Sequence, residues 1–264
     1  MTGIHKGYLD TSIGLIHFRS AGEAGRPELL LLHQTASSSA MYEAMMERLA
    51  GRFRILAPDT PGFGQSDSLK APASLAAYST ALAEAVRKFG FGSPSFVFGH
   101  HTGASIAVQM ESDAPGFCRK LALSGPPYLN AAQRRALREG VVPIRLSPDG
   151  AHLQTLWQRL RAKDPSAPLA LTHREFLLNL AAGERYHEAY QAVADHDFEG
   201  QLARIACPTL LMAGPHDTLL DSLDGASRAL PSAEVVRLPR GNTYVCDLET
   251  DLVAEQLVRF FGPG

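Results

Sequence analysis

The stretch "FVFGHHTGASIAV", Phe96–Val108, decides how the rest of the chain is read. Phe96, Val97 and Phe98 form an apolar run with the character of a buried strand, and Ala104, Ile106, Ala107 and Val108 begin an apolar helix. Only a few residues separate the two, with glycines at Gly99 and Gly103. A strand that turns into a helix so abruptly pushes the residue midway between the glycines into the space beyond the strand end. That residue is His101.

Working outward, further apolar runs precede and follow this one: "ELLLLH" from Glu28, "FRILAPD" from Phe53, "SPSFVFG" from Ser93, "RKLALSG" from Arg119, "PTLLMAG" from Pro208 and "AEVVRLP" from Ala233. Short continuous apolar strands separated by helical stretches are what a parallel sheet covered on both faces requires. Before them, "GYLDT" and the alternating "GLIHFRS" read as an antiparallel pair. Leu75, Tyr78, Leu82, Val86 and Phe89 recur at helical spacing and end at Gly90, and Leu252, Val253, Leu257 and Phe260 make a similar stripe. Between about Asn130 and Arg204 the pattern is helical throughout, as in "AHLQTLWQRLRAKD". The expected organisation is a doubly wound, mostly parallel α/β core over residues 1–129 and 205–264, with residues 130–204 forming a helical cap over the carboxyl edge of the sheet.

Composition sets outer bounds. The 264 residues carry a net charge of -2, which gives no electrostatic reason to expect nucleic acid or an acidic membrane surface as partner. An apolar share of 45% is enough to build a substantial core. Cys118, Cys207 and Cys246 are widely spaced and odd in number, a pattern without a disulfide framework. The opening "MTGIHKGYLDTS" lacks the apolar core of a signal peptide, and no apolar run reaches bilayer-spanning length, so a cytoplasmic protein is expected. Oligomeric state is not readable.

In an open parallel sheet the functional loops follow the carboxyl ends of the strands. Those loops are "HQTASSS", "DTPGFGQSD", "HHTG", "PHDTL" and "RGNTYVCD". This ordered set resembles the α/β-hydrolase superfamily over nearly the whole chain, most specifically in "DTPGFGQSD", the elbow-shaped "GHHTG" and "AGPHD". The resemblance implies a serine, acid and histidine triad, with Asp217 at the position of the acid. The sequence departs from it twice. His101 stands at the nucleophile position, and "GNTYVCD" holds no histidine; Thr243 aligns with the missing base, and no histidine lies beyond His216.

The resemblance further implies an oxyanion hole from the backbone amides of Gln34 and Thr102, which does not depend on the side chain at the elbow. His101 is read as a general base, with acyl-accepting nucleophile and non-catalytic residue as the alternatives. Its imidazole is long enough to reach towards Asp217, which would replace the triad by a pair. Thr35, Trp157 and Thr243 are the expected pocket residues; the stripe of Leu153, Leu156, Trp157 and Leu160 is ordinarily packing. His33 is read as packing at a strand end, His100 as pointing sideways into structure, His216 as a loop residue and Ser66 as part of a turn. No metal-ligand spacing joins these histidines, and neither metal nor other cofactor is expected. The function implied is hydrolysis of an ester, lactone or C–C bond in a small, partly apolar carbonyl compound. A non-catalytic small-molecule binder or receptor on the same fold is the alternative, and a lyase or cofactor-free oxygenase a further one.

Overall fold

A computed structural model describes residues 3–92 and 95–262. Ser93 and Pro94, the first residues of the run that leads into the elbow, lie outside the described residues, as do Met1 and Thr2.

Eight strands form one sheet: β1 (His5–Thr11), β2 (Gly14–Ala21), β3 (Glu28–Leu32), β4 (Arg54–Pro58), β5 (Ser95–His100), β6 (Cys118–Ser124), β7 (Thr209–Ala213) and β8 (Glu234–Arg237). Their spatial order is β1-β2-β4-β3-β5-β6-β7-β8. The β1–β2 and β2–β4 pairs are antiparallel, and every pair from β4 to β8 is parallel. The fold is thus the α/β-hydrolase fold expected from the sequence.

The runs in β3 to β7 are apolar because both faces of the sheet are covered. Leu30, Leu56, Val97, Leu121 and Leu211 face one layer, while Leu29, Ile55, Phe96, Ala122 and Leu210 face the other. Adjacent residues along a strand point to opposite faces, so one run supplies both cores. The first layer is built on α2 (Leu75–Lys88) and α3 (Thr102–Asp113), and the second on α1 (Glu43–Leu49) and α11 (Thr250–Phe261). In the last helix the buried aromatic is Phe261, while Phe260 is only partly buried, one position away from the stripe expected from sequence. At the edge, β8 is mostly exposed and carries Glu234 and Arg237, charges that discourage further strand addition.

Between β6 and β7 the described chain contains helices and no strand. These are α4 (Ala131–Gly140), α5 (Ala151–Lys163), α6 (Leu169–Ala182), α7 (Glu188–Asp195) and α8 (Phe198–Leu202). The first begins with a capping box, in which the Asn130 side chain accepts from the Gln133 amide and the Gln133 side chain accepts from the Asn130 amide. After β7 come α9 (Leu220–Ala229) and, beyond β8, the short α10 (Val245–Leu248). No described helix is long and apolar enough to cross a membrane.

Candidate active site

The turn between β5 and α3 needs its glycines for space. A Cβ on Gly99 would collide with the Gly103 backbone, and a Cβ on Gly103 would collide with the carbonyl oxygen of Leu32 in β3. Close approach of helix and strand therefore depends on hydrogen at both positions. Between them His101 adopts φ 50° and ψ −112°, and it is the one non-glycine residue with positive φ among those described. Left-handed backbone of this kind is costly for a residue with a Cβ, and it persists where the surroundings fix it. They do so here: the His101 amide donates to the Ser124 carbonyl at 2.9 Å, and its carbonyl accepts from the amides of Ala104 and Ser105.

The turn aims the His101 ring at Asp217. Its Nε2 lies 2.9 Å from Asp217 Oδ1 and 3.0 Å from Oδ2. A carboxylate only accepts, so Nε2 carries the proton and donates it, which leaves Nδ1 as the unprotonated, basic nitrogen. Nδ1 has no partner among the described residues, and His101 lines a cavity of about 480 Å³. The Asp217 side chain is fully buried and also accepts from the Leu219 amide at 2.8 Å. Burial acts to raise its carboxyl, but His101, the hydrogen bond from that ring, His100 and the Leu219 amide together hold it well below the usual carboxylate range.

His100 secures the other side of the pair. It lies fully buried, with ring centroid 4.2 Å from that of His101. Its Nε2 donates to the Thr243 carbonyl at 3.0 Å, and its Nδ1 accepts from the Ser124 hydroxyl at 3.0 Å. Burial and the neighbouring His101 lower it to about 3, so it is a neutral strut between the elbow and the loop after β8. That loop brings no imidazole to the site, and the His100 ring bridges β6 and the loop.

Gln34 and Thr102 both line the cavity, and neither backbone amide donates a hydrogen bond among the described residues. The Gln34 carbonyl is committed, accepting from His33 Nδ1 at 2.8 Å and the Ser37 amide at 3.0 Å. The Thr35 hydroxyl donates to that of Thr102 at 2.8 Å, and the Thr35 carbonyl accepts from Tyr190. Thr35 and Thr243 also line the cavity, whereas Trp157 is not among the lining residues and packs edge-on against Phe176, 5.6 Å between ring centroids. The roof is supplied instead by Leu137, Val141, Tyr190 and Val193, with Lys163 from the end of α5.

The other histidines fall outside this arrangement. His33 Nε2 accepts from the Thr60 amide, and burial lowers its ring. Next to it the His17 ring bonds Asp59 at 2.8 Å; despite burial, His17, His33 and Ser39 bring that carboxyl down to about 2. Ser66 bonds the Asp59 carbonyl within the same turn, and His216 is exposed. Among the described residues no group of three or more His, Cys, Asp or Glu side chains is placed to hold a metal ion.

Sequence reasoning passed over Gly125, which has φ +55° and stands where a Cβ would meet the His101 ring and Asp217. It follows the carboxyl end of β6 in "LSGPP", so inspecting that strand end as the others were inspected would have found it. Lys163 carried no such signal, being one of several basic residues in an amphipathic helix.

Residues 27–249 match the alpha/beta hydrolase fold family, and the chain belongs to it. Its likeness to individual proteins is more distant. A segment of 53 residues is 47% identical to an uncharacterized hydrolase of Saccharomyces cerevisiae, covering 20% of this chain and only 18% of that protein. Over 258 residues the chain is 24% identical to 2-(acetamidomethylene)succinate hydrolase of Mesorhizobium japonicum, covering 94% of this chain and 92% of the relative. Among solved structures, a hydrolase from Pseudomonas aeruginosa PA01 superposes with a TM-score of 0.82 at 24% identity, covering 98% of this chain and 99% of that one.

Proposed function

We propose that the protein is a hydrolytic enzyme for a small, partly apolar carbonyl compound, in which His101 and Asp217 replace the three-residue triad. The observation that carries this reading is the pairing of His101 Nε2 with both Asp217 oxygens, because it leaves Nδ1 without a protein partner on a residue that lines the cavity. Likeness over most of both chains to 2-(acetamidomethylene)succinate hydrolase supports the reaction class. Residues 130–204 act as a cap that closes the site, a role supported by the lining residues Leu137, Lys163 and Tyr190.

In the proposed reaction, Nδ1 takes a proton from water as the water oxygen bonds to the substrate carbonyl carbon. The resulting imidazolium keeps its Nε2 proton on Asp217, whose buried negative charge stabilises it. The carbonyl oxygen gains the negative charge and accepts from the amides of Gln34 and Thr102. Collapse of the tetrahedral intermediate breaks the bond to the leaving group, which receives the proton from Nδ1. His101 acts as base because no second imidazole serves a nucleophile at the elbow.

The test is steady-state kinetics on a panel of activated esters, lactones and β-diketones near neutral pH. Saturable turnover should fall on the order of 10²–10⁴-fold in His101→Ala. The variant should retain the wild-type unfolding profile. Turnover that survives His101→Ala would exclude the imidazole as the catalytic group, and tight ligand binding without turnover anywhere in the panel would identify a binding protein.

A further inference from the structure

Resting on the proposed hydrolytic site, one feature of the cavity bears on what enters it. Most of the wall is apolar, with Leu129, Leu137, Val141, Val193 and Leu219 contributing. Apart from the imidazole of His101, Lys163 is the one ionisable cation in the lining, and no Asp or Glu lines it. Lys163 makes no hydrogen bond or ion pair among the described residues. The acid that influences it, Glu175, is engaged by other groups: its Oε1 accepts from two nitrogens of Arg174 and from the Ser37 hydroxyl. Arg174 in turn forms a bidentate pair with Asp247.

Lys163 is solvent-exposed and lines the cavity, so it is accessible to a ligand that enters there. Burial, reinforced by Arg159, lowers its ammonium from the ordinary value, and Glu175 opposes this only in part. A cation without a counter-ion beside an apolar wall attracts an anion delivered by a ligand.

We propose that the substrate carries a carboxylate, received by the Lys163 ammonium from the cap side while its apolar body lies against the leucines and valines and its reacting carbonyl faces His101. Lysine acts here as a point charge that selects acids over their neutral analogues. Lys163 is thereby a specificity-determining residue.

The experiment compares two acids of mixed apolar and anionic character, phenylacetate and 4-phenylbutyrate, with their primary amides. Calorimetry on the full chain measures binding to the wild type, Lys163→Met and Lys163→Arg. At least one acid should bind the wild type about tenfold more tightly than its amide. Lys163→Met should abolish that preference while leaving amide binding intact, and Lys163→Arg should restore most of it. No preference for either acid, or a preference that persists in Lys163→Met, overturns the proposal. This readout needs no turnover, so it stands or falls separately from the hydrolytic reading. In kinetics, the mono-4-nitrophenyl ester of glutaric acid should exceed 4-nitrophenyl butyrate in kcat/KM, and the advantage should vanish in Lys163→Met; equal efficiency in the wild type counts against the proposal even if both esters are hydrolysed.

Discussion

Gly125 and His101 share one volume: the position that a Cβ on residue 125 would take lies within contact of the His101 ring atoms Cδ2 and Nε2 and about 3.0 Å from Asp217 Oδ2. The missing side chain at the end of β6 is what admits an imidazole between the elbow and the acid. Gly125→Ala should therefore displace the ring from Asp217. Together with the left-handed φ at that residue, a destabilisation of about 1–3 kcal/mol is expected. Any turnover that depends on His101 should drop in parallel, and an unchanged melting temperature with unchanged turnover would contradict the shared volume.

Gly103→Ala acts on the scaffold instead of the pair. Its Cβ would meet the Leu32 carbonyl, which belongs to a central strand and has no rotamer into which to retreat. Loss of more than about 4 kcal/mol is expected. Urea denaturation should show a large fall in midpoint or no folded protein, and a fall smaller than that of Gly125→Ala would show that α3 can withdraw from β3.

Asp217→Asn separates charge from shape. The amide keeps the size of the carboxylate but removes its charge, and it permits the other His101 tautomer. Turnover should decline on the order of 10²–10⁴-fold with little change in fold. Retention of turnover within about threefold would mean that the acid only positions the ring.

Fluorophosphonate labelling provides a chemical check. The elbow carries no hydroxyl nucleophile at residue 101, and the nearby Thr102 hydroxyl is engaged with Thr35. Peptide mass spectrometry should find no adduct on the segment from Gly99 to Ser105 after exposure to the probe. A phosphonylated Ser105 or Thr102 would show a different active residue.

Acid stability follows from His100. In the folded chain it remains neutral down to about 3, whereas in the unfolded chain it takes a proton near its ordinary value of 6.5. Below that value the unfolded state binds more protons, so stability falls as pH drops from about 6.5 towards about 3, by up to about 1.4 kcal/mol per pH unit. His33 and His196 are lowered in the same direction and add to the slope. Chemical denaturation at a series of pH values should show this decline, and His100→Asn should make it shallower. An identical slope in that variant would assign the effect to other groups.

The parts of the molecule that were legible in the sequence are those governed by local periodicity. The runs from Glu28 to Leu32 and from Thr209 to Ala213 announce buried strands because every residue must meet one core or the other. The glycine spacing around His101 announces the turn because backbone collision, not side-chain chemistry, sets it. Placement on strand ends likewise brought Asp217 and His101 into one region, although their contact depends on space vacated by Gly125, whose position after β6 is legible but whose approach to the ring is set by tertiary packing. The cavity roof was illegible for a related reason. Trp157 and Lys163 sit on the same helix, and which of them meets the cavity is set by how α5 packs against α6, where Trp157 is taken up by Phe176.

The elbow also separates what the fold requires from what the chemistry requires. Its steric demands fall on residues 99 and 103, which press against main chain, and the His100 tether ends on a carbonyl oxygen that every amino acid at position 243 possesses. None of these contacts records the identity of the side chain at the apex. A single codon change at 101 can therefore exchange the side chain at the apex while the frame around it stays the same, which, on the proposed reading of the site, makes this position a point where a lineage, or an engineer, can change reactions without first rebuilding the protein.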